Sequence, residues 1–412
     1  MSEMKAPRFA ALVLLTLNSI TAAAAPGDLY AWWSSVWGPP DPNAGTTIFP
    51  SLEVPLGGRL EGMGTASAAG ARDASFIEAN PAATAFLTNT ELAFSHHSWI
   101  ADTSLEGVVY TVRFDDLGLG FGGRFLYVPF TGYDEWGERA SRGTISETVA
   151  TANVSYNIFR SYSFPGIAFG ASIKAAYRHV PSDIAYGQSI FGLMTDVGLQ
   201  TSFSLAKFQR WSLPNVSLGI VLKNLGFTTM TGESLPLTAS VGLAYAPLRA
   251  WTLATDFNLP IALGANPARE WDLAFGTSVA VAEFLSLQGG IHLKPGNPRM
   301  SIGADVDLGT VSVNANYNLD MSALARNPAD KFSVQARLDL GDRGRSELRR
   351  RVDELYTEGL REFSQGNLEK AIDLWKAVVA IDGKYDPAKH YIAIAEATLE
   401  NRRKAATAGT GQ

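Results

Sequence analysis

Between Met300 and Leu340 apolar and polar residues take turns with hardly a lapse. From Thr310 to Asp320 one set is Val311, Val313, Ala315, Tyr317 and Leu319, and the other is Ser312, Asn314, Asn316, Asn318 and Asp320. Successive side chains of a strand point to opposite faces, so this stretch predicts a strand with one oily face and one amide-and-acid face. Met300 to Leu308 and Phe332 to Leu340 repeat the pattern. Similar runs occur near residues 90–97, 105–114, 117–130, 144–158, 166–179, 189–204, 215–223, 236–246, 251–260, 269–281, 284–293, 299–308, 310–319 and 331–340, about 14 strands in all. Alternation alone fits a soluble sandwich or a transmembrane barrel equally well.

The joins separate the two. After even-numbered strands they are mostly tight, as at Asp115-Asp116, Ala282-Glu283 and Leu308-Gly309. After odd-numbered strands they are mostly longer, as in Thr131 to Gly143, Pro181 to Gln188, Leu225 to Leu235 and Asp320 to Asp330. Short turns at one rim and long loops at the other mark an outer-membrane barrel. Ala206 to Pro214 breaks the rule. Aromatic residues near strand ends, among them Trp99, Trp136, Trp251, Trp271, Tyr110, Tyr127 and Tyr156, suit interfacial girdles.

The N-terminus reads as an export signal over residues 1–25: basic Lys5 and Arg8, an apolar run from Phe9 to Ile20, then small residues to Ala25. A membrane-anchor helix would need a longer and less interrupted apolar run. Residues 26–87 form an N-terminal segment, rich in Trp, Pro and Gly up to Pro55, then Gly-rich with short helices. Asn80 followed by Pro81 is a helix start, an amide cap ahead of a residue suited to the first turn. Residues 57–87 are too few to stand alone and require a host. Residues 88–341 are the expected barrel.

Charged residues make up 18% of the chain, with 39 Gly, 20 Pro and a net charge of -6, which argues against a nucleic-acid partner. The absence of cysteine excludes disulfides, thiolate metal sites and a lipoprotein anchor.

Beyond Asp342 the chain becomes highly charged with helical period. Leu355, Gly359, Phe363, Gly366, Ala371, Trp375 and Val378 follow the spacing of a tetratricopeptide repeat, a helix-turn-helix unit of about 34 residues. Gly359 then permits close helix approach, Gly366 lies at the turn, and Ala371 and Trp375 pack between helices. A third helix from Pro387 to Arg402 covers the remaining apolar face. The module spans residues 345–403, and residues 404–412 read as a disordered tail.

Chemistry is sparse. Gly118-Leu-Gly-Phe-Gly-Gly123 matches a dinucleotide-binding glycine pattern but continues as strand where that fingerprint opens a helix. His96 and His97 are adjacent and so point to opposite faces, which prevents joint chelation. Neither a catalytic cluster nor a cofactor motif is present, and the chain reads as no enzyme. The polar residues Asp256, Asp272, Asp305, Asp307, Asn314, Asn316, Arg337 and Asp339 are expected to face a hydrated lumen.

Arg59-Leu-Glu-Gly-Met-Gly-Thr-Ala, then Ala71-Arg-Asp-Ala-Ser, then Glu78-Ala-Asn-Pro-Ala-Ala83, ahead of the strands, resembles the FadL-type outer-membrane transporters. It is similar to a spirochaete family of FadL-like proteins, some with C-terminal tetratricopeptide repeats, and to the related PorV-type barrels. The resemblance implies a 14-stranded barrel plugged by an N-terminal hatch that includes Gly62, Met63, Gly64, Asn80, Pro81 and Ala82. It implies passive uptake of long-chain fatty acids or other hydrophobic ligands through the outer membrane of a diderm bacterium, with the hatch displaced around Asn80-Pro81. It further implies lateral release at the third strand, where Gly118, Gly120, Gly122, Gly123 and Pro129 stand. Those glycines serve a wall opening or simply make room for the hatch. The helical module departs from FadL itself. It suggests a periplasmic protein partner and a second reading, a PorV-like assembly or secretion component.

Overall fold

The structure, a computed structural model, describes residues 47–99, 102–182, 186–208, 214–230, 234–263, 269–321 and 330–409. The expected signal peptide and residues 26–46 lie outside them. The chain divides into two units: Met1–Ile158 with Ile167–Leu340, and Phe159–Gly166 with Gly341–Gln412.

In the first unit 14 antiparallel strands close into a barrel. They are β1 (Glu91–Ser98), β2 (Ser104–Phe114), β3 (Leu117–Tyr133), β4 (Arg139–Ile158), β5 (Ile167–His179), β6 (Ile190–Phe203) and β7 (Val216–Thr228). The series continues with β8 (Thr238–Leu248), β9 (Trp251–Pro260), β10 (Asp272–Ala282), β11 (Leu285–Leu293), β12 (Arg299–Asp307), β13 (Val311–Asp320) and β14 (Lys331–Asp339). Each strand pairs with its sequence neighbours. Closure comes from β1 on β14, in register from Glu91 opposite Asp339 to Ser98 opposite Phe332.

The alternation seen in the sequence is the pleat of this wall. Phe121, Ile173, Ile220, Val241, Ile302 and Tyr317 point outward and are exposed, whereas Asp256, Asn314, Asn316, Gln200 and Ser333 point inward and are buried. A wall that is apolar outside and polar inside has its stable arrangement in lipid, around a filled lumen. Tight turns follow β2, β8, β10 and β12 at one rim, as at Asp115-Asp116 with Asp115 at φ 51, while the joins after β4 and β6 at that rim are long, and longer loops gather at the other rim. β3 and β4 run past their neighbours. Their ladder continues from Pro129 opposite Thr144 to Tyr133 opposite Arg139, whereas β2 leaves β3 at Tyr127. Pro129 and Gly132 blur the alternation there, so the sequence pattern ends these strands early.

Residues 50–87 fill the lumen as short turns: Pro50–Leu52, the helix α1 (Gly58–Gly62), Ala74–Ile77 and Pro81–Phe86. None is long enough to persist alone. Asn80 caps the last of them, its side chain accepting from the Ala82 N–H with Pro81 in the first turn.

The second unit holds α2 (Arg345–Ser364), α3 (Leu368–Ile381) and α4 (Asp386–Gly409). Its core gathers Val352, Leu355, Ala371, Ile372, Trp375, Val378, Tyr385, Ala388 and Ala395. Trp375 is fully buried and donates its indole N–H to the Tyr356 carbonyl at 3.2 Å. Gly359 lies under that indole, where any Cβ would overlap it, and Gly366 at φ 84 makes the turn between α2 and α3. The tail departs from expectation. Helix continues to Gly409, the last described residue, rather than ending near residue 403, through a segment whose alanines favour helix.

Candidate functional site: the plugged lumen

The plug is held mainly through its backbone. Asp256 on β9 accepts from the Ser67 and Ala68 N–H groups at 2.7 and 2.8 Å. Gln200 on β6 donates to the Ala69 and Ala71 carbonyls at 2.7 and 3.3 Å. Asn153 on β4 donates to the Pro81 carbonyl at 3.0 Å, and Asn316 on β13 donates to that of Gly58 at 3.0 Å. Arg124 on β3 reaches the carbonyls of Ser51 and Val54 and pairs with Glu78 at 3.1 Å. Burial raises the Glu78 carboxyl above the ordinary range, and Arg124 opposes that rise.

The hatch residues expected from the resemblance lie in this plug. Asn80 is wholly buried and donates to the Ala68 and Leu199 carbonyls at 2.8 and 3.1 Å. Ala82 packs with Ala85 and Ala168, and Met63 with Ala66, Ala69, Ala244, Ala254 and Ala274. A Cβ on Gly62 would come within 2.6 Å of Asn316, and Gly64, at φ +64, lies against the backbone of β11.

The glycines of β3 face the plug in the same way. Gly118 is covered by the Thr84 backbone, Gly120 by the Phe76 ring and Gly122 by Ile77, each too closely for a side chain. Gly123 faces outward with only ordinary contacts, and Pro129 stands in the extended part of the β3–β4 ladder. The ladders from β3 to β2 and β4 run unbroken from Leu117 to Tyr127. At Gly118, Gly120 and Gly122 the missing side chains leave room for Thr84, Phe76 and Ile77.

Most of the expected lumen residues meet one another or the plug. Arg337 bridges Asp305 at 3.0 Å and Asp73 at 3.2 Å. Asp272 joins His292 at 2.8 Å and accepts from Asn258 at 2.7 Å. Asn316 also donates to Asn314 at 2.7 Å. Asp339 accepts from Asn89. Asp307 stands apart: it is exposed and caps its own turn by accepting from the Gly309 N–H at 2.8 Å.

His97 and Glu61 meet inside the barrel, both fully buried and 3.6 Å apart. His96 points outward to Glu106 at 2.7 Å, so the two histidines do take opposite faces. Arg124, Glu147, Asn153, Lys174, Asp196 and Gln200 each sit on the inward parity of their strand, where the alternation rule, extended to every strand, finds them.

The largest apolar sector of the interface lies at β1–β3, and a smaller one holds Ile48 and Phe49 against Val149, Ala176, Ile190 and Met194. Val54, Leu56, Leu60, Phe76 and Ile77 of the plug pack on Ala93, Leu105, Val109 and Leu126 of β1–β3, with Trp99 and Val128 partly buried beside them. Among the described residues no group of three or more His, Asp or Glu could hold a metal ion.

A model of the Uncharacterised protein family (UPF0164) matches residues 40–340. A UPF0164 protein of Treponema pallidum (strain Nichols) is 29% identical over 377 residues, covering 88% of this chain and 86% of its own. A second from the same organism is 25% identical over 390 residues, covering 86% and 76%. Among solved structures, the CymD monoaromatic hydrocarbon channel superposes with a TM-score of 0.49 at 13% identity, covering 70% of this chain and 98% of its own. The Ralstonia pickettii toluene transporter TbuX gives 0.48 at 12%, covering 69% and 98%. The barrel itself rests on its own closed strand register.

Proposed function

This chain belongs to the UPF0164 family, and we propose that it is a passive outer-membrane transporter for hydrophobic small molecules, long-chain fatty acids among them. The observation that carries the reading is the extended apolar sector between plug and β1–β3, beside smaller apolar clusters and a polar network in the rest of the lumen. A route for ions or sugars gains nothing from such a surface. An alkyl chain gains about 0.8 kcal/mol for each CH₂ it buries there. The apolar outer belt supports an outer-membrane location in a diderm bacterium. The second unit follows β14, which ends at the short-turn rim, and on this reading it lies in the periplasm.

The test is expression in the outer membrane of a bacterium that lacks its own fatty-acid transporter. Growth on oleate, and saturable binding of labelled oleate or toluene by the purified protein, are expected. A folded barrel that neither binds nor takes up any hydrophobic solute overturns the proposal.

A second reading is supported by the separate core of α2–α4: a PorV-like component that docks a periplasmic protein through a tetratricopeptide-like module. Co-purification of one periplasmic protein with the full chain, lost on truncation after Leu340, would favour it. Its absence under cross-linking would count against it.

A further inference from the structure

The plug is not gripped evenly. On β4, β6, β9 and β13, wall side chains bond directly to its backbone, through Asn153, Gln200, Asp256 and Asn316. Lifting the plug there strands buried N–H and C=O groups, and a hydrophobic ligand offers them no replacement. Along β2 the contact is different. Leu105 and Val109 meet apolar plug side chains, and Gly107 lies against Leu56. Among the described residues no hydrogen bond joins the side chains of β2 residues 104–111 to the plug. A hydrophobic molecule entering at this place replaces one apolar contact with another, so the cost of separation is largely returned. One polar anchor stands within the seam and another beside it: Arg124, opposite Gly107, reaches past the apolar side chains to Ser51, Val54 and Glu78, and Glu91 accepts from the Ala74 N–H at 3.0 Å.

We propose that the hatch stays seated and that the ligand passes along the apolar seam between Leu56, Phe76 and Ile77 of the plug and Leu105, Val109 and Leu126 of the wall. The proposal rests on the transport reading and deepens it. It replaces hatch displacement at Asn80-Pro81, a point the wall holds firmly, with sliding of side chains that hold nothing polar. It also assigns specificity: slender apolar molecules with at most one polar head fit, because every polar group a ligand carries must cross the seam without a partner and each adds to the cost.

The chain has no cysteine, so a staple can be placed cleanly. A Cβ on Gly70 of the plug would lie 3.5 Å from the Ala244 Cβ of β8, within the range a disulfide spans. In the double variant Gly70→Cys/Ala244→Cys, oleate uptake by the oxidised protein is expected to equal that of the reduced protein. In Val109→Thr, which keeps the shape and adds a hydroxyl, uptake is expected to fall about tenfold, as for one buried hydroxyl without a partner. Hydrogen exchange of the plug amides should stay at the parent level in that variant. Uptake that stops on oxidation and returns on reduction, or an unchanged rate in Val109→Thr, overturns the seam. Absence of uptake in the reduced staple variant and the parent alike overturns the transport reading beneath it.

Discussion

Asp256 is the most direct test of how the plug is held. It is 3% exposed, and one carboxylate oxygen accepts from both the Ser67 and Ala68 N–H groups, at 2.7 and 2.8 Å. Hydrogen bonds to a charged group contribute about 1.5–3 kcal/mol each, so the pair contributes roughly 3–6 kcal/mol of local anchoring. Global stability is a poor gauge, because burying a carboxylate costs several kcal/mol that Asp256→Ala gives back. Local opening is the right gauge. Amide exchange at Ser67 and Ala68 should quicken about a hundredfold or more in Asp256→Ala, since each decade is about 1.4 kcal/mol. Asp256→Asn keeps an acceptor oxygen without its charge and should quicken exchange about tenfold. Strand amides such as that of Leu243 should exchange at the parent rate. Parent-like protection of Ser67 and Ala68 in the alanine variant would refute the reasoning. Equal loss of protection in plug and strands would refute it too, because plug and wall would then open as one body.

Further outcomes follow from the same geometry. Gly170→Ala drives a methyl into the Pro81 backbone, which cannot yield as a flexible side chain would; a loss of about 1–3 kcal/mol is expected, read as a lower barrel unfolding temperature in micelles. Ile220→Arg places a charge on the lipid-facing side of β7, where the parent side chain is 55% exposed. It should cost about 2–4 kcal/mol in bilayer refolding if that point is near midplane, while a small effect would undo the transmembrane reading of this face. Trp375→Ala should remove about 3–5 kcal/mol from the helical unit, seen as lost near-ultraviolet dichroism. Hydrogen bonds from Asn367 and Lys370 hold the Glu362 carboxyl below the usual glutamate range. A lowered folded value means the stabilisation is present above the ordinary value and lost as pH falls through and below it. Glu362→Gln should therefore lower the stability of α2–α4 at neutral pH and above, and its deficit against the parent should shrink as pH falls below the ordinary glutamate range.

Some features could be read from the chain because they are local. The two-residue period of Met300 to Leu340 has only one geometric meaning, and the unequal joins reported a membrane before any strand was paired. The cap at Asn80-Pro81 and the spacing of Gly359, Gly366, Ala371 and Trp375 likewise depend on neighbours within a turn or two. The strand ends were harder. β3 and β4 continue past Pro129 and Gly132 because each supplies the other's ladder, which no one-strand pattern records.

The polar network escaped for the same reason. Periodicity places Asp256, Asn153 and Gln200 on the inner face, but it cannot say that they end on the backbone of residues 67–81, more than 70 positions away in each case. Nor can it assign the glycines of β3. In the sequence Gly118, Gly120 and Gly122 permit either a gap or a close fit, and only closure of the barrel brings Thr84, Phe76 and Ile77 onto them. Alternation and turn chemistry are properties of adjacent residues, so the amino-acid order alone determined a two-faced wall with a plug-sized segment before it. Which side chains grip that segment, and where it merely rests on oil, depends on residues distant in the chain. The folded cylinder alone decided that.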